Sequence, residues 1–262
     1  MTAPFVLVQL SDPHIGATWA GADPRAKWLA TVESIARLPD RPHAVLVSGD
    51  LADNAADAEY AVVASALERF GVPVYVLPGN HDDRARLRDH FQLPGASAEP
   101  VHYSADLSAL RLVVLDSTVP GRDSGSLGSE QLAWLEAELS GAPDQVTVLA
   151  MHHPPFATGA PAWDAIGLAP SDREALGEVV RRHPQVRRVL AGHVHRAITA
   201  EFAGRIAFSC PSTYLQGRLH LDATELELTD EPPGFMLHAV RGAEVNSYFQ
   251  PVVFETAGVN AT

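Results

Sequence analysis

VLPGNHDD, residues Val76 to Asp83, is the stretch on which the reading of this chain turns. Its start closes an apolar run that begins at Val72, a Pro-Gly turn follows, and then Asn80, His81, Asp82 and Asp83 stand in a row. Asn, Asp and Gly are ordinary turn residues, so a plain surface turn would have the same composition. What decides between a turn and a site is whether other strands of the chain end in the same way.

They do. Short apolar, β-branched runs predict strands at Phe5–Leu10, Ala44–Val47, Val72–Leu77, Leu110–Leu115, Val146–Met151 and Val186–Ala191. After the first comes SDPH with Asp12 and His14, and after the second SGD with Asp50. The third gives Asn80 and His81, the fifth His152 and His153, and the sixth GHVH with His193 and His195. Helical patterns lie between the strands at Pro24–Arg37, Ala58–Phe70, Glu130–Leu139 and Asp172–Arg182. Asp23 before Pro24 offers an N-cap, and Ser171 with Glu174 fits a capping box. This alternation is that of an α/β fold with buried strands, whose carboxyl edge is where ligands bind.

Beyond Gly192 the pattern changes. Thr199–Phe202, Ile206–Ser209, Thr224–Leu228, Phe235–Val240 and Val245–Pro251 are expected as short strands added in antiparallel fashion, and Pro154–Pro170 as a long loop. No repeat or linker composition divides the chain, so residues 1–262 are expected to form one domain, with about 220–262 as additional short strands.

The donor types carry the chemistry. Asp12, His14, Asp50, Asn80, His152, His193 and His195 mix oxygen and nitrogen donors with no thiolate, a set suited to iron, manganese, zinc or cobalt. Seven donors exceed the four of a closed zinc site, whereas two ions sharing one carboxylate would use them all. Such a pair clamps the attacking and leaving oxygens of an in-line displacement. Glycines before Asp50, Asn80 and His193 permit tight turns.

Composition sets the bounds. With 262 residues, 46% of them hydrophobic, the chain can build a large core, and its net charge of −13 disfavours general nucleic-acid binding. Bound cations could supply the positive charge an anionic substrate needs. The one cysteine, Cys210, excludes an intrachain disulfide, the start of the chain is not that of a signal peptide, and no apolar run approaches a membrane span. A cytoplasmic protein without membrane contact is expected.

Taken together, D-x-H (Asp12, His14), G-D (Gly49, Asp50), G-N-H-D (Gly79 to Asp82), His152 and G-H-x-H (Gly192 to His195) resemble the calcineurin-like metallophosphoesterase superfamily. GDLADN, GNHDDRARLR, LDSTVPG and HHPPF narrow the resemblance to bacterial class III cyclic-nucleotide phosphodiesterases and glycerophosphodiesterases, over roughly residues 5–215. The resemblance implies a four-layer αββα sandwich of two facing mixed sheets with flanking helices. It implies two divalent ions, iron or manganese first and zinc or cobalt as alternatives. Asp12, His14 and His195 would hold one ion, Asn80, His152 and His193 the other, and Asp50 would bridge.

His81 would face the phosphate, with Asp50 as its catalytic companion and His14, Asn80 and His195 also near substrate. The expected reaction is hydrolysis of a small phosphodiester, a 3′,5′-cyclic nucleotide such as cyclic AMP, by in-line attack of a metal-bridging hydroxide. A glycerophosphodiesterase, a phosphomonoesterase and a non-catalytic metal-binding scaffold are the alternatives, and a homodimer or higher homo-oligomer is left open. Asp53 and Asp82 are expected to fix loops or orient ligand histidines, His153 to orient its loop or reach the site, and Asp116 to support the ligands or simply to end its strand. The chain departs from its relatives at Arg122–Ser124 and at Leu215, where a histidine is frequent, and both places could face substrate.

Overall fold

The fold is taken from a computed structural model, which describes residues 3–253. Its first sheet has strands β1 (Phe5–Leu10), β2 (Ala44–Ser48) and β3 (Val74–Leu77), mutually parallel and linked by helices α1 (Pro24–Ala36) and α2 (Asp57–Leu67). A third helix, α3 (Arg84–Phe91), follows β3. The second sheet starts with the hairpin β4 (Tyr103–Leu107) and β5 (Leu110–Val114). It continues through β6 (Thr147–Ala150), β7 (Val186–Ala191), β8 (Ile198–Phe202) and β9 (Arg205–Ser209). Helices α4 (Ser129–Ser140), α5 (Pro161–Ala165) and α6 (Pro170–Arg182) lie in the connections. Two short strands, β10 (Gln216–Gly217) and β11 (Leu228–Thr229), pair with each other. The hairpin β12 (Gly234–Arg241) and β13 (Glu244–Pro251) then returns to the first sheet, whose order is β13-β12-β1-β2-β3. The second sheet runs β4-β5-β6-β7-β9-β8.

Strand alternation explains why two sheets stack with helices outside. On β1 and β2, Val6, Val8, Leu10, Val45 and Val47 face Trp28, Val32 and Ile35 of α1 and Tyr60 and Val63 of α2. Their neighbours Leu7, Ala44 and Leu46 face the other way, against Leu112 and Val114 of β5, Val148 and Ala150 of β6 and Leu190 of β7. The opposite faces of β5 and β6, through Val113 and Leu149, meet Leu135 and Leu139 of α4 and Leu176 and Val180 of α6. Both faces of each central strand are therefore dry, which is why the runs are continuously apolar instead of alternating. The result is the αββα sandwich that the resemblance implied.

Several local expectations need correction. Ser171 and Glu174 form no capping box: α6 starts at Pro170 with Ala169 as N-cap and no side-chain cap bond. The Asp172 carboxylate is engaged elsewhere, accepting from the Leu127 amide at 2.9 Å and the Ser126 hydroxyl at 2.7 Å. The run Thr224–Leu228 is a strand only at its end, in β11. Within Pro154–Pro170 the chain makes the short helix α5. Of the late strands, β9 pairs parallel with β7, while β8 and β12 are antiparallel to their neighbours. The last two strands are eight residues long and integral to the first sheet. Residues 254–262 of the expected C-terminal additions lie outside the described residues. The expected cap at α1 forms, the Asp23 side chain accepting from the amides of Arg25 and Ala26. No helix among the described residues is long and apolar enough to cross a membrane.

Candidate metal centre

The carboxyl ends of β1, β2, β3, β6 and β7 converge at one end of the sandwich, and all seven sequence-selected donors meet there. Asp12, His14, Asp50 and His195 place a donor atom each within 4.8 Å of one another, and so do Asp50, His152 and His193. Asp50 belongs to both groups. Its Oδ2 lies 3.4 Å from His14 Nε2 and 3.3 Å from His152 Nε2. Asn80 Oδ1 is 3.1 Å from His152 Nε2 and 3.1 Å from His193 Nδ1, which puts it in the second group.

The local backbone needed to aim these side chains is unusual. Asp12, His14, Asp50, His193 and His195 have φ of 52°, 43°, 52°, 71° and 50°. Left-handed conformations are uncommon for non-glycine residues, although Asp and His tolerate them better than most, and they cluster at functional sites. Gly79 answers the question raised by VLPGNHDD. A Cβ there would lie 2.1 Å from Asp50 Oδ1 and 2.2 Å from the Asp50 amide nitrogen, so only glycine lets the loop after β3 pass Asp50. Asp82 pins the same loop by accepting from the amides of Gly79, Leu51 and Ala52.

The second nitrogen of each histidine shows which lone pair is free. His152 Nδ1 donates to the Ser48 carbonyl at 2.8 Å, His195 Nδ1 to the Leu215 carbonyl at 2.9 Å, and His193 Nε2 to the Ile166 carbonyl at 3.1 Å. His14 Nδ1 donates to the Asp53 carboxylate at 3.2 Å. Each outward bond occupies one ring nitrogen and turns the other toward the cluster. His14 Nε2 and His195 Nε2 therefore face each other at 3.0 Å, a contact that calls for a proton or a metal ion between them. The donor set, with its second nitrogens turned inward, fits a metal ion there.

Electrostatics point the same way. Burial lifts the Asp12 carboxyl to about 6 and depresses His195 to about 3 and His193 well below the ordinary imidazole value. Burial also opposes ionisation of Asp50, but His152 beside it, with His14 and His81, holds its carboxyl well below the usual range. Against its own burial, His152 is lifted to about 9 by Asp50. The spot between Asp50 and Asn80 therefore attracts positive charge strongly.

His81 lies beside the donors, grouping with His14 and Asp53 within 4.8 Å. Its backbone amide donates to Asp50 Oδ1 at 2.9 Å, while its ring Nδ1 sits 3.2 Å from the Asp53 carbonyl and 3.3 Å from Asp53 Oδ1. That engagement leaves Nε2 for the ≈ 270 Å³ cleft that His81 borders. Burial opposes its cation, but the Asp53 bond and the Asp50 charge raise it to about 9. Asp53 thus orients both His14 and His81, as expected of it.

His153 is fully buried, with Nε2 donating to the Asp123 carbonyl at 2.9 Å and Nδ1 on the Ser117 hydroxyl at 2.8 Å, so it ties down the loop around Asp123. Asp116 pairs with Arg84 at 2.7 Å and caps the turn at Thr118, which makes it a loop residue. Leu215 is buried and serves through its carbonyl. Of Arg122–Ser124, Asp123 borders the cleft. Trp19, Trp163, Ile166, Leu226 and Leu228 border it too, and motif reasoning missed them. The only available signal was a pair of tryptophans in otherwise Gly-, Ala- and Pro-rich loops.

Comparison with known proteins identifies the family and the fold. The chain is 32% identical over 242 residues to a probable glycerophosphodiester phosphodiesterase GpdQ of Arcobacter nitrofigilis, covering 89% of this chain and 88% of that protein. It is 35% identical over 208 residues to a cAMP/cGMP dual specificity phosphodiesterase of Mycobacterium tuberculosis, covering 76% of this chain and 64% of that one. Among solved structures, a dimetal phosphatase from Danio rerio superposes with a TM-score of 0.67 at 18% identity, covering 96% of this chain and 100% of that chain. Purple acid phosphatase PPD1 from yellow lupin gives 0.73 at 15% identity, covering 96% of this chain and 52% of that chain. The calcineurin-like phosphoesterase family model matches residues 5–197, a span that holds every donor of the cluster, and the chain belongs to that metallophosphoesterase family.

Proposed function

We propose that the chain is a binuclear metal-dependent phosphodiesterase whose substrate is a small phosphodiester, a 3′,5′-cyclic nucleotide first. The observation that carries this reading is the pair of donor groups sharing Asp50, with their imidazole nitrogens turned inward. Asp12, His14 and His195 would hold one ion, Asn80, His152 and His193 the other, and Asp50 would serve both. When bound, two such ions supply Lewis acidity that polarises the phosphoryl group and activates the attacking water.

The chain's own residues do the rest. His81, cationic and held by Asp53, offers its Nε2 proton to the leaving ester oxygen, and the same positive charge favours the dianionic transition state. Its amide clamps Asp50 Oδ1, so the proton donor and the shared carboxylate are fixed relative to one another. The apolar rim lowers the local dielectric and strengthens both effects.

A glycerophosphodiester is the second reading, favoured by the 32% identity to the probable GpdQ over 89% of the chain. A product-resolved panel on Mn²⁺-loaded protein separates the two. It contains cyclic AMP, cyclic GMP, 2′,3′-cyclic AMP, glycerophosphoethanolamine and a phosphomonoester. The highest kcat/KM is expected on a 3′,5′-cyclic nucleotide; cleavage of the monoester alone would defeat the phosphodiesterase reading.

A further inference from the structure

The metal centre accounts for one wall of the cleft only. Facing it are five apolar side chains, Trp19, Trp163, Ile166, Leu226 and Leu228, and a single carboxylate, Asp123. No Lys or Arg among the described residues lines the cleft. A second phosphate on the substrate would find no cation there, and the hydroxyls of a glycerol group would exchange water for hydrocarbon.

The two indoles are anchored independently of each other, and both remain half-buried at the cleft instead of filling the core. Trp19 packs on His14 and His81 with ring centroids at 4.6 and 5.9 Å. It is backed by Tyr214, whose ring lies 5.8 Å away and whose hydroxyl donates to the Trp19 carbonyl at 2.7 Å. Trp163 packs on His193 at 6.2 Å and is seated against Gly217, where a Cβ would come within 3.0 Å of the indole. Trp19 thus stands on the His14 side of the centre and Trp163 on the His193 side. Both also reach His195, at 6.4 and 6.0 Å, with tilts of 27° and 34° to its ring.

We propose that Trp19 and Trp163 form a stacking site for a planar aromatic group esterified to the phosphate, which makes the substrate class a nucleotide ester and not a glycerol or other alkyl ester. This rests on the phosphodiesterase reading and specifies its substrate. Rigid indoles offer a base a large π-face at little entropic cost, and stacking tolerates any base.

The test uses the metal-loaded protein and the variants Trp19→Leu, Trp163→Leu and the double variant, each checked for metal content and folding. Removing one stacking partner is expected to lower the kcat/KM ratio of cyclic AMP to glycerophosphoethanolamine by about 5- to 150-fold. Equal losses on both substrates would overturn the assignment. Binding of adenosine 5′-monophosphate, followed by isothermal titration calorimetry, needs no turnover. Wild-type affinity that falls in the double variant supports the stacking site even if the wild type cleaves no diester, an outcome that would sink only the proposed reaction. Undiminished nucleotide affinity in the double variant would overturn the site itself. So would a wild-type preference for glycerophosphoethanolamine that Asp123→Asn abolishes, since the carboxylate would then select the substrate.

Discussion

Replacing His81 by alanine separates proton donation from metal binding. The ring is held through Nδ1 by Asp53, and its contact with Asp50 is made by the backbone amide, which alanine retains. The variant should therefore keep the donor cluster and lose only the proton and charge at Nε2. General-acid catalysis is worth roughly 10²–10⁴ in rate, about 2.7–5.4 kcal/mol of barrier, when the leaving oxygen is a poor alkoxide such as a ribose or glycerol oxygen. A nitrophenolate leaves without a proton, so bis(p-nitrophenyl) phosphate should lose far less. The assay is kcat on both ester types with Mn²⁺-loaded wild type and His81→Ala, alongside elemental analysis. Equal losses on the two esters with metal content unchanged would remove the general-acid role and leave electrostatic stabilisation alone. Loss of an ion in the variant would mean that His81 belongs to the ligand set.

Asp53→Asn keeps the shape that orients His14 and His81 but removes the charge both rings use, and should lower metal affinity or activity by roughly 10–100-fold in titrations with Mn²⁺. Gly79→Ala drives a Cβ into Asp50 and should lower Tm by roughly 2–12 °C and abolish metal retention; a variant with wild-type Tm and metal content would contradict the close approach. His238 is fully buried, and burial, then Arg188, depresses its imidazole to about 3, while the unfolded chain binds that proton near its ordinary value. Its contribution is thus fully present above pH ~6.5 and lost as pH falls toward 3, about 2 kcal/mol between pH 7 and 5. Denaturant unfolding at the two pH values should show a smaller drop for His238→Gln than for wild type, and parallel drops would refute this.

The candidate donors were legible because each directly follows an apolar run, so finding the strands found the cluster. Strand ends came out within a residue or two for β1, β2, β5, β6 and β7. Helix α3 was not found because RARLRDHF buries only Leu87 and Arg88 and shows no apolar stripe; the Asp83 side chain caps it, accepting from the Arg86 amide. The hairpin β12–β13 was seen as strands, but its placement beside β1 depends on long-range pairing such as Val8 with Leu237, which no local pattern encodes. Trp19, in a short 3-10 turn after β1, and Trp163, in α5, reach the cleft from parts of the chain far apart in sequence, and tryptophan has many uses, so neither announces a role alone. The Ser171–Glu174 motif was a true signal for a helix start, but the helix begins two residues earlier, at Pro170, and so holds Ser171 inside it.

The sharing of Asp50 between two ions is the claim on which the chemistry depends, and metal stoichiometry tests it most directly. Wild type and Asp50→Ala, stripped with chelator, reconstituted with Mn²⁺ and desalted, are to be measured by elemental analysis against protein concentration, with phosphodiester turnover on the same samples. Wild type should approach two ions per chain, and the variant should retain fewer and lose turnover, because the lost carboxylate contacts both donor groups. A firm wild-type stoichiometry of one ion at full activity, or an Asp50→Ala protein with two ions and near wild-type turnover, would contradict the two-metal centre.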